Sequence, residues 1–582
     1  ADAASSAAPV SHAIKFAGGL MAIMWLLTLT SAAPTPLSSS VPLYGQYEIT
    51  LTGPSEAAVA NPFEVELSAT FTHTEPPTGT PIVVGGFYDG GGTYRVRFSP
   101  PAEGEWKYTT ASSAAALDGS SGEFHVVKKA AGDRGPVVSK GSGLYYADFT
   151  PHVSVGTTCY QWASKGFDMQ AQTLETLKAS PFNKIRMTTF PKWYIFNRAN
   201  PVETGAPYEI APGSAAANAS AWACVGEHCP SLSGSFDLKR FNVSFWQNYD
   251  RLVGALKAQG VIADIILFHP YDGGHWGFDC MGGTDAQKYD TTLDKFYLRY
   301  AVARLASYSN VWWSMANEWS FNKCKGRGVN ESAKSPEPSP SPVWDELFET
   351  LAAADPYGRQ ASIHNGNLLY NHSRPWISHV SLQGMEDTTP AIRTKYGKPT
   401  IWDEVRYEGN ITSSWGALSA AEEADRFWWG AALGVHVGHS ETVLRAAVKD
   451  DDAQPLWWAK GGTLVGESPS RIAFFKQLWA STGADFGALT PAQASYGQAG
   501  DPVSDTLTGD SVQLVKFRRQ GTWNVPLPGG GGDGGAWKAV SVDYWGMTTT
   551  ELPLPTSGAT VAVDVNTLPF TLLFTKSAAA AA

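Results

Sequence analysis

Residues 310–320 read NVWWSMANEWS. The run from Val311 to Ala316 is short and apolar, broken by a single serine, and it reads as a buried strand. It stops abruptly at Asn317-Glu318, so a carboxylate emerges where the strand ends. Helical periodicity flanks it on both sides, in TLDKFYLRYAVARLASY (292–308) and VWDELFETLAAAD (343–355). A strand between two helices is the unit of an α/β fold.

Outward from this unit the alternation repeats. Further short apolar strands are HVSVGTT (152–158), NKIRMTTF (183–190), IADIILFH (262–269), QASIHN (360–365), ISHVSLQG (377–384), PTIWDE (399–404) and GVHVGHS (434–440). Further helices are MQAQTLETLKAS (169–180), SFWQNYDRLVGALKAQG (244–260) and AAEEADRFWWGAAL (420–433). Eight strands joined by helical or long irregular links predict a (β/α)8 TIM barrel over 145–480. A doubly wound open sheet competes, but no G-x-G-x-x-G follows the first strand. Long links at 191–240 and 319–342 follow strands two and four, on the face where barrel loops shape a site.

Both flanks read as strands. Residues 43–128 alternate apolar and polar between Gly/Pro/Ser turns and predict a β-sandwich. Residues 129–143 form a charged, Gly-containing linker. Residues 487–576 are again strand-like, with a flexible PLPGGGGDGGA loop at 526–536. The expected fold class is therefore α/β, a barrel flanked by an N-terminal and a C-terminal β-sandwich.

The 582 residues are 43% hydrophobic and 17% charged, enough apolar side chain for sizeable cores. A net charge of −11 with no long basic run argues against a nucleic-acid partner. The segment Phe16–Thr30 (FAGGLMAIMWLLTLT) follows Lys15 and precedes Ser31-Ala32-Ala33. It predicts a signal peptide or signal anchor within 1–36, hence secretion, with membrane attachment only if the segment is retained. Asn218, Asn242, Asn330, Asn371 and Asn410 stand in N-x-S/T sequons and are candidate glycan acceptors. The five cysteines are too few for a disulfide framework; Cys224–Cys229 and Cys280–Cys324 are possible bridges, and Cys159 reads as buried. No Cys/His cluster has zinc spacing, so neither metal nor cofactor is expected.

Two carboxylate signals stand out. Glu318 leaves strand four into an aromatic-rich segment, where burial would raise its pKa and keep it protonated for donation to a leaving oxygen. Asp403-Glu404 ends strand seven, across the same mouth. Carboxyl groups about 5–5.5 Å apart suit retaining glycoside hydrolysis.

The middle of the chain resembles the apiosidase-like (β/α)8 glycoside hydrolases, whose acid/base lies on strand four and nucleophile on strand seven. The carrying segments are GTTCYQW (156–162), FNKIRMTTFPKWY (182–194), ADIILFHPYDGGHWGF (263–278), NVWWSMANEWS, SIHNG (362–366), KPTIWDEVRYEGNI (398–411), GHSET (438–442) and LWWAKGGTLVGESPSRI (456–472). NPFEVELSATF (61–71) and VGGFYDGGGTYRVRFSPPAEGEWKYTT (84–110) resemble the immunoglobulin-like domain that often precedes such barrels. The tail is similar to the small β-domain found after them.

The resemblance implies Glu318 as acid/base and Glu404 as nucleophile, with Asp403 the alternative nucleophile. It implies that Asn317 bonds the sugar hydroxyl beside the reacting carbon and that Arg186 orients the nucleophile. It puts His269, Tyr271, Asp272, His364, Asn365, Gln383, His439 and Glu441 around the subsite, and makes Trp276, Trp319 and Trp402 candidate sugar platforms. Where this chain has Trp402, the compared barrels usually carry an aliphatic residue. The implied partner is an oligo- or polysaccharide, cleaved with retention in a wall or extracellular glycan. A transglycosylase with the same residues, and a non-catalytic glycan-binding or structural glycoprotein, are the alternatives; the joint presence of Glu318, Glu404, Asn317 and Arg186 argues against the second.

Overall fold

A computed structural model gives the protein's structure and describes residues 39–75, 79–192, 202–222, 232–271, 275–278, 289–321, 335–339, 341–444, 456–528, 537–555 and 559–576. The segment 1–36, Cys224, Cys229, Cys280, Cys324, Asp272 and Asn330 lie outside them.

The eight barrel strands, one to eight in chain order, are Val155–Thr158, Lys184–Thr188, Ile262–Phe268, Val311–Ala316, Ala361–Ser362, Val380–Gln383, Thr400–Glu404 and His436–His439. They form one sheet in the order 5-4-3-2-1-8-7-6. Strands five and six meet through an isolated parallel bridge, His364 to Ser381, which closes the ring. Ser378 N also donates to Ala361 O at 2.9 Å, and Ser362 Oγ to His379 O at 2.6 Å. All of strands one, two, three, four and eight are buried along their length, as expected where helices cover the outside.

The covering helices are Phe167–Ala179, Val243–Ala258, Thr292–Leu305, Pro342–Ala354, Thr389–Tyr396, Ala420–Ala432 and Ser468–Ser481. Strand five runs to strand six through irregular chain, without a helix. Local signals set the helix ends. Asn242 caps its helix by accepting from Phe245 N, and Ser419 forms a capping box with Glu422. Gly397, at φ +60°, ends the helix Thr389–Tyr396 just before strand seven.

The front block is a β-sandwich. Strand Ile82–Tyr88 pairs with Leu67–Glu75 through its first half and with Thr93–Phe98 through its second, so it passes from one layer to the other. Between the layers Phe71 stacks on Phe98 at 4.0 Å and Tyr47 on Phe124 at 3.8 Å. Buried Arg304 ties this domain to the barrel, with Nη1 on Asp89 at 2.9 Å and Nη2 on Asp250 at 2.6 Å. At the other end, a six-stranded antiparallel sheet faces the hairpin-like pair Gly521–Pro526 and Thr560–Val565 over a separate apolar core. It docks on the helix Ala420–Ala432, where Asp425 accepts from Lys516 Nζ and Tyr544 Oη, each at 2.7 Å.

Among the described residues no helix is long and apolar enough to cross a membrane, and no His/Cys/Asp/Glu group could hold a metal ion. Cys159 is a buried free thiol. Of the described sequons, Asn218 and Asn410 are exposed, and Asn242 and Asn371 half-buried.

Candidate active site

Two backbone irregularities aim the paired carboxylates into one cleft. Glu318, directly after strand four, has φ +48°, a left-handed conformation that non-glycine residues adopt at a cost of about 1–3 kcal/mol. In strand seven the ladder pairs Leu382 with Trp402 but Gln383 with Glu404, so one extra residue, Asp403, is accommodated. Such a bulge breaks the strict in-and-out alternation and re-aims the next side chain. Gly438 on strand eight makes room for it: a Cβ there would lie 2.8 Å from the Asp403 carbonyl oxygen.

The bulge separates the roles of three neighbours. Trp402 points out, with its Nε1 on Thr389 Oγ1 at 2.9 Å and its ring edge-on to Trp429. Asp403 points into the barrel, bound to Lys184 Nζ and Ser381 Oγ, each at 2.5 Å. Lys184 also holds Asp264 at 2.8 Å, so Asp403 belongs to a buried ion network away from the cleft lining. Glu404 reaches the cleft, its side chain 11% exposed.

Glu318 and Glu404 are joined through a hydrogen-bonded chain. Arg186 donates from Nη1 to Glu404 Oε1 at 2.9 Å and from Nη2 to Asn317 Oδ1 at 2.6 Å. Asn317 Nδ2 donates to Tyr271 Oη at 2.6 Å and reaches Glu318 Oε2 at 3.4 Å. Gln383 Nε2 donates to Glu318 Oε1 at 2.7 Å. Asn365 braces Gln383, accepting its backbone N–H at 2.9 Å. The Tyr160 hydroxyl donates to Glu404 Oε1. His364 is fully buried, with Nδ1 3.9 Å from the same oxygen.

The two carboxyls are pulled in opposite directions. Burial and then the charge of Glu404 raise the pKa of Glu318; Lys192, Gln383 and Tyr271 pull it back without cancelling the rise. Burial works against ionisation of Glu404, but His364, Arg186 and the Tyr160 hydroxyl hold its pKa below the ordinary glutamate value. His364 is itself pushed down to about 4, by burial and then Arg186. The standing positive charge beside Glu404 at neutral pH is therefore the guanidinium.

The cleft has a volume of about 700 Å³, and its lining includes Glu318, Glu404, Gln383, Tyr160 and Lys192. Its aromatic surface comes from Tyr407, Trp415, Trp429, Trp458 and Phe321. Three expected sugar platforms are corrected here. Trp276, Trp319 and Trp402 are at most 2% exposed and sit in cores. Trp276 stacks on Phe236 at 4.6 Å and donates to Pro191 O at 3.2 Å; Trp319 packs edge-on to Tyr370 at 6.3 Å. A ring with no free face cannot carry a sugar.

Among the described residues expected at the subsite, Gln383 lines the cleft, Tyr271, His364 and Asn365 lie behind its wall against Asn317, Glu404 and Gln383, and three others lie away from it. His269 is fully buried, its Nε2 2.8 Å from Phe190 O. His439 stacks on Phe182 at 4.6 Å, its Nδ1 3.1 Å from Thr157 Oγ1. Glu441 accepts the backbone N–H groups of Val465 at 2.6 Å and Gly466 at 2.8 Å. Burial raises its pKa to about 7 against those two bonds. It staples the loop that follows Trp458.

Conversely, sequence reasoning passed over Tyr160, Lys192, Tyr407, Trp415 and Trp458. Tyr160, Lys192, Tyr407 and Trp458 stand inside the segments that carried the resemblance, the first three within four residues of the ends of strands one, two and seven. The position after a barrel strand was the available signal.

Residues 139–481 match the apiosidase-like catalytic domain, and residues 40–113 match a domain of unknown function, DUF5060. No curated protein matches the chain. A crystal structure from Bacteroides vulgatus, of a protein assigned to the glycoside hydrolases, is 30% identical, with TM-score 0.74 over 92% of this chain and 100% of that one. A family 5 glycoside hydrolase of the same organism shares the fold at 13% identity and TM-score 0.54, over 76% of this chain and 94% of that one. A further glycoside hydrolase does so at 13% and 0.52, over 76% and 97%. With the paired carboxylates, the barrel and these matches together, the chain belongs to the apiosidase-like family of glycoside hydrolases and is a glycosidase.

Proposed function

We propose that this glycosidase acts with net retention of anomeric configuration, with Glu404 as nucleophile and Glu318 as acid/base. The observation that carries the reading is the opposite pull on two carboxyls in one cleft. Arg186 and Tyr160 favour the ionised form of Glu404, while burial and Glu404 favour the protonated form of Glu318.

In the first step a Glu404 oxygen attacks the anomeric carbon. The glycosidic C–O bond breaks, and the leaving oxygen takes the proton of Glu318. A glycosyl ester on Glu404 results. In the second step water gives a proton to Glu318 while its oxygen attacks the anomeric carbon, which releases Glu404. Asn317 bonds Arg186 and Tyr271 beside Glu318, which supports a role for it next to the reacting carbon. The cleft-lining rings of Trp415 and Trp458 support binding of an oligo- or polysaccharide by stacking. The apolar segment 16–30 supports secretion, and with it a wall or extracellular glycan as substrate.

The test is a panel of aryl pyranosides and furanosides. On a substrate that is turned over, proton NMR of the first-formed product should show the substrate's anomeric configuration. An inverted first product overturns the double displacement.

A further inference from the structure

Lys192 follows strand two and reaches the floor of the cleft between two phenols. Its Nζ lies 4.8 Å from the ring centre of Tyr160 and 4.7 Å from that of Tyr271. Those phenols stand beside different carboxylates: Tyr160 donates to Glu404, and Tyr271 shares the Asn317 amide with Glu318. The stem of Lys192 is anchored as well, since its carbonyl accepts from Gln161 Nε2 at 2.8 Å.

The oxygen of Tyr271 is occupied by donors. It accepts from Lys192 Nζ at 3.1 Å and from Asn317 Nδ2 at 2.6 Å. A phenol oxygen has two acceptor positions and one proton. With both positions filled, Tyr271 can act towards Glu318 only as a donor, and it favours the carboxylate form. Neither Lys192 nor Asn317 can take a proton in return.

We infer that Lys192 is a positioning residue that acts through Tyr271 to prepare Glu318 for the second half of the reaction, when Glu318 must be a base. The inference rests on the acid/base reading of Glu318. Before the first step the charge of Glu404 faces Glu318 and opposes its ionisation. Once Glu404 is esterified, that charge is gone. Lys192 and the Tyr271 hydroxyl then act on Glu318 against burial alone and favour its carboxylate form. The other charged and titratable groups around Glu318 are Tyr160 after strand one, and Glu386, Asp387, Arg406 and Arg426 on the cleft wall. Arg426 and Glu386 face one another at 3.8 Å, and Arg186 is engaged with Glu404 and Asn317. Lys192 is thus the cation bonded into the Glu318 side of the site.

The experiment compares wild type with K192M, K192R, Y271F and E318Q, on a phenyl glycoside and a dinitrophenyl glycoside of the sugar that the enzyme accepts. Without the ammonium, Glu318 should hold its proton to higher pH. The alkaline limb of kcat/KM on the phenyl glycoside should therefore rise by about one pH unit in K192M. It should return towards wild type in K192R and rise in Y271F. On the dinitrophenyl glycoside, whose departure needs no acid, kcat and KM of K192M should fall together by about tenfold as the glycosyl-enzyme accumulates. An alkaline limb unmoved in folded K192M, or in Y271F if K192M does not fold, overturns the inference. An alkaline limb that survives in E318Q overturns the acid/base reading itself, which separates the two failures.

Discussion

Glu318 and Asp403 show how much depends on single residues. Both are acidic and both end a barrel strand, yet one has a raised pKa in an open cleft and the other is held ionised by Lys184 in a closed core. Burial opposes the charge of Asp403 as well, but Lys184 and Arg186 outweigh it. The contrast gives a pH dependence. On the proposed double displacement, kcat/KM requires Glu404 ionised and Glu318 protonated. Glu404 is depressed, so the acidic limb should fall below the ordinary glutamate pKa; Glu318 is raised, so the alkaline limb should lie above it. A pH–rate profile on a phenyl glycoside checks both signs. A single limb, or an alkaline limb at or below the ordinary glutamate value, would contradict the assignment of the pair. That Glu318 and Glu404 share a cleft was legible in the sequence, because each stands at the end of a barrel strand. Lys192 and Tyr160 were not, because their significance comes from hydrogen bonds to residues far along the chain.

At the scale of elements, the eight strands were legible because each is a short apolar run bounded by polar chain. What the sequence concealed was parity. Counting every second residue along strand seven does not say which of Trp402, Asp403 and Glu404 faces the cleft, because the bulge interrupts the count. The same ambiguity made Trp402 look like a platform. Strand eight records the bulge in Gly438, whose missing Cβ admits the Asp403 carbonyl. G438A should force strand seven away and displace Glu404. Since misplacement by about 1 Å can cost about 100-fold, kcat should fall by at least tenfold, with a smaller loss of thermal stability. A G438A variant with wild-type kcat would show that the bulge does not set the geometry of Glu404.

At the scale of the molecule, the sandwich and the C-terminal sheet are bolted to barrel helices rather than strung beside them. Arg304 is fully buried and joins Asp89 of the sandwich to Asp250 of the barrel. Removing one member of a buried pair leaves charge uncompensated, at a cost of about 3–5 kcal/mol. R304M should therefore lower the melting temperature of the whole chain markedly while leaving activity per folded molecule unchanged in the cold. A melting temperature equal to that of wild type would mean that this junction does not support the barrel. The sandwich and tail could be expected from alternating strands, but this docking could not, since it pairs residues far apart in the chain, such as Asp89 with Arg304 and Asp425 with Lys516. The chemistry of the cleft can be caught directly. Incubation with a 2-deoxy-2-fluoro glycoside that bears a good leaving group, followed by digestion and mass spectrometry, should find the sugar attached to Glu404. A label on Glu318 or Asp403, or turnover without any covalent adduct, would contradict the account.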